Sequence, residues 1–402
     1  MIKKAVIILG AGPEQLDSYK IAKRRNLVTY SVDKNINAPG HKLSNYQIVE
    51  SIYNYKKILK KKLVKKIQNL IGIIAVGVDV PNTVFRLSEY FKLKTINKNL
   101  IKKVNGKLNL YDFFYKENII PLFKKIKNLN NVNSFTKKHN FPIILKPDFG
   151  RGSREVFLLK NQRELRKFFK NQGKLINSKT FIVQKFISGK QYSIECLFKN
   201  GEFLSLISSR DYNTYKNFHP YIIENGGDFD PPMTKKMQNN ILLFCKKIAN
   251  KLKILNGPLK FDLIVHKNKI YLIEVAVRFG GGFVAAKCSK LLIGKNFLEL
   301  YFDNLLNVKN NFEKVKKFKK NYVSTRAIVS KREGILKEIK ILIPDKLKRN
   351  LVHISYNKKI GDKVCTPKSH AERVGFIIVK TNKKNLSSKV ANKILKNIKL
   401  YV

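Results

Sequence analysis

A mixed α/β chain is predicted, with a parallel sheet leading and antiparallel strand pairs following. The first hundred residues alternate strand-length apolar runs with amphipathic helical stretches, the pattern of βαβ units. From residue 142 onward the apolar runs come in pairs joined by short polar turns, which is how antiparallel ladders read. Apolar residues make up 44% of the 402, enough for a sizeable core, and that length suits roughly two to four folded units.

Taken in order, "AVIILGAG" is a strand and tight turn, "PEQLDSYKIAKRRN" a helix, and "LVTYSVDKN" a second strand. Gly10 and Gly12 let the backbone turn sharply at the helix start, and Asp33 closes the second strand where dinucleotide folds carry a ribose-binding acid. "GAGPEQ" lacks the third glycine of that fingerprint, so dinucleotide binding is not the favoured reading. "YKKILKKKLVKKIQNL", Tyr55 to Leu70, predicts one helix with Ile58, Leu59, Leu63, Ile67 and Leu70 on its apolar face. "GIIAVGVDV" is a later strand, followed by the helical "PNTVFRLSEYFKL". The Asn- and Lys-rich stretch from Pro121 to Phe141 predicts a joint between units.

The opening "MIKKAVIILGAGPEQ" has an apolar core of only Ala5 to Leu9, so it is expected to be a buried strand and not a secretory leader. Leu70 to Val80 falls well short of the roughly 20 apolar residues a membrane span needs, so no membrane partner is expected. Cys196, Cys245, Cys288 and Cys365 lie far apart without a zinc-ligand pattern, which suits reduced thiols and a cytoplasmic setting. The net charge of +55 would serve a polyanion-binding protein. Against that reading, the basic residues are mostly Lys, spread over nearly every predicted helix and loop beside abundant Asn and Ile, a mixture that AT-rich coding produces. No specific nucleic-acid partner is expected, because a dedicated binder gathers Arg and aromatics into one patch.

The chemistry concentrates further along. In "PIILKPDFGRGSREVFLL", Pro142 to Leu159, a strand ends at Lys146, a flexible loop follows, and a second strand starts near Val156. Gly150 and Gly152 allow backbone N–H groups to approach an anion, and Lys146 supplies a point charge for phosphate oxygens. "FIVQKFISGKQYSIECLF" reads as a strand from Phe181 to Ile187, a turn at Gly189 and another strand, an edge that could meet an adenine ring with backbone groups. "GPLKFDLIVHKNKIYLIEVAVRFGGGF", Gly257 to Phe283, reads as two antiparallel strands joined at "HKNK". Asp262 and Glu274 are acids embedded in those apolar strands, and buried carboxylates need a partner. A shared Mg²⁺ would be one, and ion pairs with lysines would be another.

These residues resemble the ATP-grasp ligases, over nearly the whole chain. The resemblance implies an N-terminal Rossmann-like parallel sheet over residues 1–100. It implies a central ATP-grasp fold of two α+β subdomains over 101–310, with a lid subdomain at about 134–190, and a small β-rich C-terminal cap over 311–402. The cap segment reads as short strands with turns at Gly334, Gly361 and Gly375. In the family two lysines contact ATP phosphates, and the matching positions are Lys107 in "NGKLNLYDFF" and Lys146. Gly150, Gly152 and Ser153 match the loop that closes over the phosphates. Gln184, Lys185 and Ile187 match the adenine hinge, the last two through backbone atoms, and Gln191 the ribose contact. Asp262 and Glu274 match the metal-binding acids, Arg278 the arginine that orients the acid substrate, and Arg210 is a further candidate for that role. Four positions depart from the pattern: Gln184 and Gln191 stand where Glu is usual, Glu155 where a loop glycine is usual, and Ala276 where many relatives have a metal-binding Asn.

What the resemblance implies is an ADP-forming carboxylate–amine ligase using ATP and Mg²⁺, with Mn²⁺ able to substitute, that works through an acyl phosphate. Its partners would be a small carboxylic acid and an amine, and a homodimer is compatible with it. Bicarbonate activation leading to carboxylation is the alternative within enzymes. Polyanion binding on a noncatalytic scaffold is the alternative outside them.

Overall fold

The structure is a computed structural model that describes residues 2–93, 98–212, 216–229, 231–308, 312 and 321–402. The first sheet comprises β1 (Ala5–Leu9), β2 (Val28–Asp33), β3 (Tyr46–Val49) and β4 (Leu70–Ala75), all parallel in the order β3-β2-β1-β4. Helix α1 (Leu16–Arg24) makes the crossover between the first two strands. Asp33 accepts the Ala11 N–H at 2.9 Å and the Asn35 N–H at 2.9 Å, so its carboxylate holds the β1 turn from within.

The helix expected over Tyr55–Leu70 is instead two, α2 (Tyr55–Lys60) and α3 (Lys62–Lys65), and Leu70 begins β4. Lys61 between them is extended, with φ −67° and ψ 129°. That single residue resets the phase of the apolar face. Val64, which the unbroken period would leave outside, is fully buried with Ile58, whereas Leu63 is only partly covered. Helix α4 (Pro81–Tyr90) follows as expected. Helix α5 (Lys98–Val104) spans the expected limit at residue 100, and α6 (Lys107–Phe114) comes next. The limit placed at 310/311 lies outside the described residues.

The stretch Pro121–Phe141, expected as a joint, is folded: it holds β5 (Phe123–Ile126) and α7 (Leu129–His139). Asn128 caps α7 by accepting the Asn131 N–H at 3.0 Å, and Val132 and Phe135 are buried, so the asparagines that suggest a linker serve as a helix start. Strand β5 joins β6 (Ile143–Pro147), β7 (Phe157–Leu159) and β8 (Phe181–Lys185) in an antiparallel sheet of order β5-β8-β6-β7, with α8 (Gln162–Gln172) packed on it.

The central sheet is built from β9 (Lys190–Lys199), β10 (Glu202–Asp211), β11 (Gly226–Phe229), β12 (Gly257–His266), β13 (Lys269–Ala276) and β14 (Tyr322–Ile328). After the short β15 (Gly334–Ile335) and β16 (Glu338–Ile341) come β17 (Leu351–Tyr356), β18 (Lys363–Val364), β19 (Gly375–Thr381) and β20 (Ile398–Tyr401). Among the described residues the order is β13-β12-β9-β10-β11-β14-β19-β17, so the C-terminal strands extend the same sheet. The helix Lys235–Lys251 covers one face, packing Ile241, Cys245 and Ile248 against Phe261 and Leu263. Each such fully buried side chain contributes about 1.5–3 kcal/mol. The first sheet is fastened on through one shared core that unites Val6, Ile8 and Ile74 with Phe283, Phe297 and Phe302 and with Ala327 and Ile378.

Strand β11 pairs with β14 only because Gly226 lets the backbones close: its φ is +141°, and an added Cβ would lie 2.1 Å from the Thr325 carbonyl oxygen. Gly226→Ala is expected to destabilise the protein by roughly 2–4 kcal/mol, read as a lower urea midpoint with an unchanged slope. A midpoint equal to that of the parent would mean that β11 and β14 do not meet as described.

Candidate active site

Directly opposed residues of an antiparallel pair share a face, and so do alternate residues along one strand. Asp262 on β12 stands opposite Glu274 on β13 and Ser193 on β9, Lys260 opposite Ala276 and Glu195, and Ser193 opposite Ser208 on β10. Alternation adds Gln191 and Arg210 to the same face. A floor of charged side chains therefore runs across the sheet from Glu274 to Arg210.

Each of the two embedded acids has a lysine beside it. Lys260 Nζ donates to Asp262 Oδ2, and Lys107 Nζ lies 3.8 Å from Glu274 Oε1. Burial pushes the Asp262 carboxyl up, but Lys260 and Arg210 outweigh it and hold the group below the usual carboxylate range. A β-bulge follows Asp262 in the β12–β13 pairing, which re-aims the ladder beside the two acids.

Above this floor sit the two lysines. Gly106 (φ +109°) precedes α6, and Asp148 accepts the Leu108 N–H of that helix at 2.8 Å, which fixes Lys107 at the helix start. Lys107 Nζ donates to the carbonyls of Gly150 at 3.1 Å and Asp148 at 3.4 Å. Lys146, 4% exposed, donates to the Tyr111 hydroxyl at 2.7 Å. That hydroxyl is 3.0 Å from both Gln184 Oε1 and the Ile273 carbonyl, so it links β6, β8 and β13. Burial, and then the neighbouring Lys107, push the Lys146 ammonium down to about 7, with Glu274 acting in the opposite sense.

The glycine loop is folded over this cluster. Gly152 and Ser153 have φ of +54° and +57°, and the Gly152 carbonyl accepts the His370 N–H at 2.8 Å. Glu155, also left-handed at φ +58°, pairs with Lys179 at 2.6 Å. The hinge residues lie at the end of β8, where the Lys185 N–H is committed to the Leu122 carbonyl at 2.8 Å and the Ile187 carbonyl accepts the Gly189 N–H at 3.0 Å. Strand β8 stops at Lys185, two residues short of the expected Ile187.

At the far end of the floor are Arg278, Arg210 and Arg373. Arg278 Nη1 donates to the Phe279 carbonyl at 3.0 Å, and its Nε is 3.6 Å from Asp79, which also lies 3.8 Å from Arg151 of the glycine loop. Arg210 pairs with Glu224 at 3.0 Å, and Arg373 donates to the Glu224 carbonyl at 2.6 Å. His370 Nε2 accepts the Glu224 N–H at 3.3 Å, and burial, aided by Arg373 and Arg210, holds this imidazole well below its ordinary range. Glu195, 3% exposed, accepts the Gly280 N–H at 2.7 Å, and burial raises its carboxyl to about 7. Glu14 from the first unit accepts the Gly282 N–H at 3.0 Å.

The structure thus gathers Lys107, Lys146, Gly150, Gly152, Asp262 and Glu274 in one place and sets Arg278 beside Asp79. Tyr111, Asp148, Lys260, Glu195, Arg373 and Glu224 were missed by sequence reasoning. Glu195 carried a usable signal, an acid within an apolar strand; Tyr111 and Arg373 carried none.

Residues 104–282 match the family model described as the ATP-grasp domain. The chain carries an ATP-grasp domain. An L-arginine-specific L-amino acid ligase of Bacillus subtilis is 23% identical over 192 residues, a match that spans 46% of this chain and 44% of that relative's own length. Solved structures share the fold over the whole chain. L-amino acid ligase from Bacillus licheniformis superposes with a TM-score of 0.81 at 16% identity, covering 100% of this chain and 99% of that one. Phosphoribosylglycinamide synthetase from Anaerococcus prevotii gives 0.75 at 20% identity, with 100% of both chains covered. N5-carboxyaminoimidazole synthetase from Staphylococcus aureus complexed with ADP gives 0.73 at 13% identity, covering 98% of each chain.

The buried Lys146 makes the stability of the ATP-grasp domain depend on pH. Its ammonium titrates at about 7 in the folded chain against an ordinary 10.5. Between those values the unfolded chain binds more protons, so the lysine's contribution to stability rises as pH climbs from about 7 towards 10.5. Denaturation of Lys146→Met across this window is expected to show a flatter rise than the parent. Parallel curves for the two proteins would show that Lys146 keeps an ordinary pKa.

Proposed function

We propose that the protein is an ATP-dependent, ADP-forming carboxylate–amine ligase that works through an acyl phosphate. One arrangement carries this reading: two lysine ammonium groups beneath a glycine loop, adjoining two facing carboxylates, with arginines along the same floor. Lys107 and Lys146 would neutralise the β- and γ-phosphates, and the loop at Gly150, Gly152 and Ser153 would wrap them with backbone N–H groups. The hinge at Gln184, Lys185 and Ile187 would take the adenine, and Gln191, on the floor's edge, the ribose.

Asp262 and Glu274 fit a divalent cation in part. They supply oxygen donors from opposed positions but only two carboxylates, both lysine-paired, so nucleotide oxygens would have to complete the set. Mg²⁺ or Mn²⁺ held there would supply Lewis-acid charge neutralisation to the phosphates.

Arg278 orients the substrate carboxylate so that its oxygen attacks the γ-phosphorus and ADP leaves. The amine nitrogen then attacks the acyl carbon, phosphate leaves, and the amine loses a proton. Positioning and exclusion of water account for most of the rate, which suits a loop held down by His370. Amino acids are the first substrates to try, because relatives of both the sequence and the fold are described as amino-acid ligases. Bicarbonate is the second, because the fold is shared with the biotin carboxylase domain of the Hydrogenobacter thermophilus 2-oxoglutarate carboxylase, whose structure is described in complex with bicarbonate.

With ATP, Mg²⁺ and pools of amino acids, sugar acids or bicarbonate, the correct acid is expected to release ADP. When the amine is replaced by hydroxylamine, a hydroxamate should accumulate. Arg278→Ala should lower acid-dependent ADP release by about 10²-fold or more while ATP affinity stays within about threefold, because it removes one charge-assisted contact to the acid alone. Release of AMP and pyrophosphate would overturn the acyl-phosphate route.

A further inference from the structure

Lys260 has a place in this site that the reaction outlined above does not use. It is nearly covered, with 13% of its side chain exposed, and its ammonium is bound to Asp262. Its two cross-strand neighbours differ in kind. On β13 it faces Ala276, which has nothing to hold a cation, and on β9 it faces Glu195. Glu195 is buried, and among the described residues no lysine, arginine or histidine approaches it closely enough to form a salt bridge. The two side chains lie against the same glycine, Gly280. A Cβ built on Gly280 would lie 2.7 Å from Glu195 Oε2 and 3.2 Å from Lys260 Cδ, closer than a side chain can pack, so the absent Cβ lets the two side chains sit side by side.

A divalent cation beside Asp262 changes the balance. Lys260 and Lys107 already compensate Asp262 and Glu274, so the four groups sum to no net charge and a bare cation must displace an ammonium group to enter. Nucleotide phosphates would reverse this, because they would compete with Glu274 for Lys107 and bring negative charge and oxygen donors of their own. A cation at Asp262 would repel the Lys260 ammonium, and Glu195, which accepts the Gly280 N–H and has no ion pair among the described residues, is the neighbouring group that could receive it.

Resting on the nucleotide-binding reading above, we propose that Lys260 is a mobile counter-ion shared between Asp262 and Glu195, which makes Asp262 accept a divalent cation only together with a nucleotide.

The test measures Mn²⁺ binding by electron paramagnetic resonance with the full chain, with and without ADP, and ADP binding by calorimetry in the presence of a chelator. The parent should bind Mn²⁺ at least tenfold more tightly when ADP is present. Lys260→Met should tighten nucleotide-free Mn²⁺ binding at least tenfold, and Glu195→Gln should weaken Mn²⁺ binding to the ADP complex about tenfold while leaving ADP affinity in chelator unchanged. Equal Mn²⁺ affinity with and without ADP in the parent overturns the proposal, as does a folded Lys260→Met that binds nucleotide-free Mn²⁺ no better than the parent. Should that variant fail to fold, Glu195→Gln decides: unchanged Mn²⁺ affinity in its ADP complex sinks the idea. A parent that binds no ADP under any of these conditions refutes the nucleotide reading itself, and the proposal with it; ADP binding with no metal effect refutes the proposal alone.

Discussion

Two carboxylates set directly opposite each other on neighbouring strands repel, and the surrounding structure is arranged to offset that repulsion. Asp262 and Glu274 face each other because β12 and β13 pair in a fixed register, and a slip of one residue between the two strands would put them on opposite faces of the sheet. Lysines answer them from two directions, Lys260 along the same strand and Lys107 from the start of α6. Lys107 can reach only because Asp148 holds the helix start and Gly106 turns the chain into it. The placement of that helix, and of the glycine loop whose carbonyls Lys107 also grips, follows from the need to neutralise the floor.

The buried ammonium of Lys146 is the costlier group. A lone charge in such a place is unfavourable by several kcal/mol, and the hydroxyl of Tyr111 offsets only part of that. Tyr111 joins three strands through its hydroxyl, so any motion of the glycine-loop sheet against the central sheet is felt at this one oxygen. The loop is also held from the opposite side by the His370 amide. The same short segment brings Arg373 to Glu224, so loop position and the arginine cluster share one mechanical support.

Much of this could be read from the chain before any coordinates. The parallel sheet followed from alternating apolar runs, and Asp262 and Glu274 stood out because each interrupts a strand of apolar residues across a four-residue turn. Lys146 was legible as a charge ending a strand before two glycines. The helix break at Lys61 was not, because hydrophobic periodicity carries no information about one residue taking an extended conformation inside a helical pattern. The Asn-rich segment was misread because caps and linkers use the same residues. Tyr111, Glu224 and Arg373 were invisible for another reason: they reach the site from segments more than a hundred residues apart, and only the completed sheet brings them together.

The site also draws acids inward in a chain that has few. Of 27 carboxylate residues against 82 lysines and arginines, Glu14, Asp79, Asp148, Glu195, Glu224, Asp262 and Glu274 are committed to this one region. The remaining exterior is left strongly cationic, and its field extends into solvent for about one Debye length, roughly 8–10 Å at ordinary ionic strength. An anion approaching from any side is drawn to the surface before it meets the cleft. Capture of any small anion then becomes a search over a basic shell, whose speed depends on the salt around it.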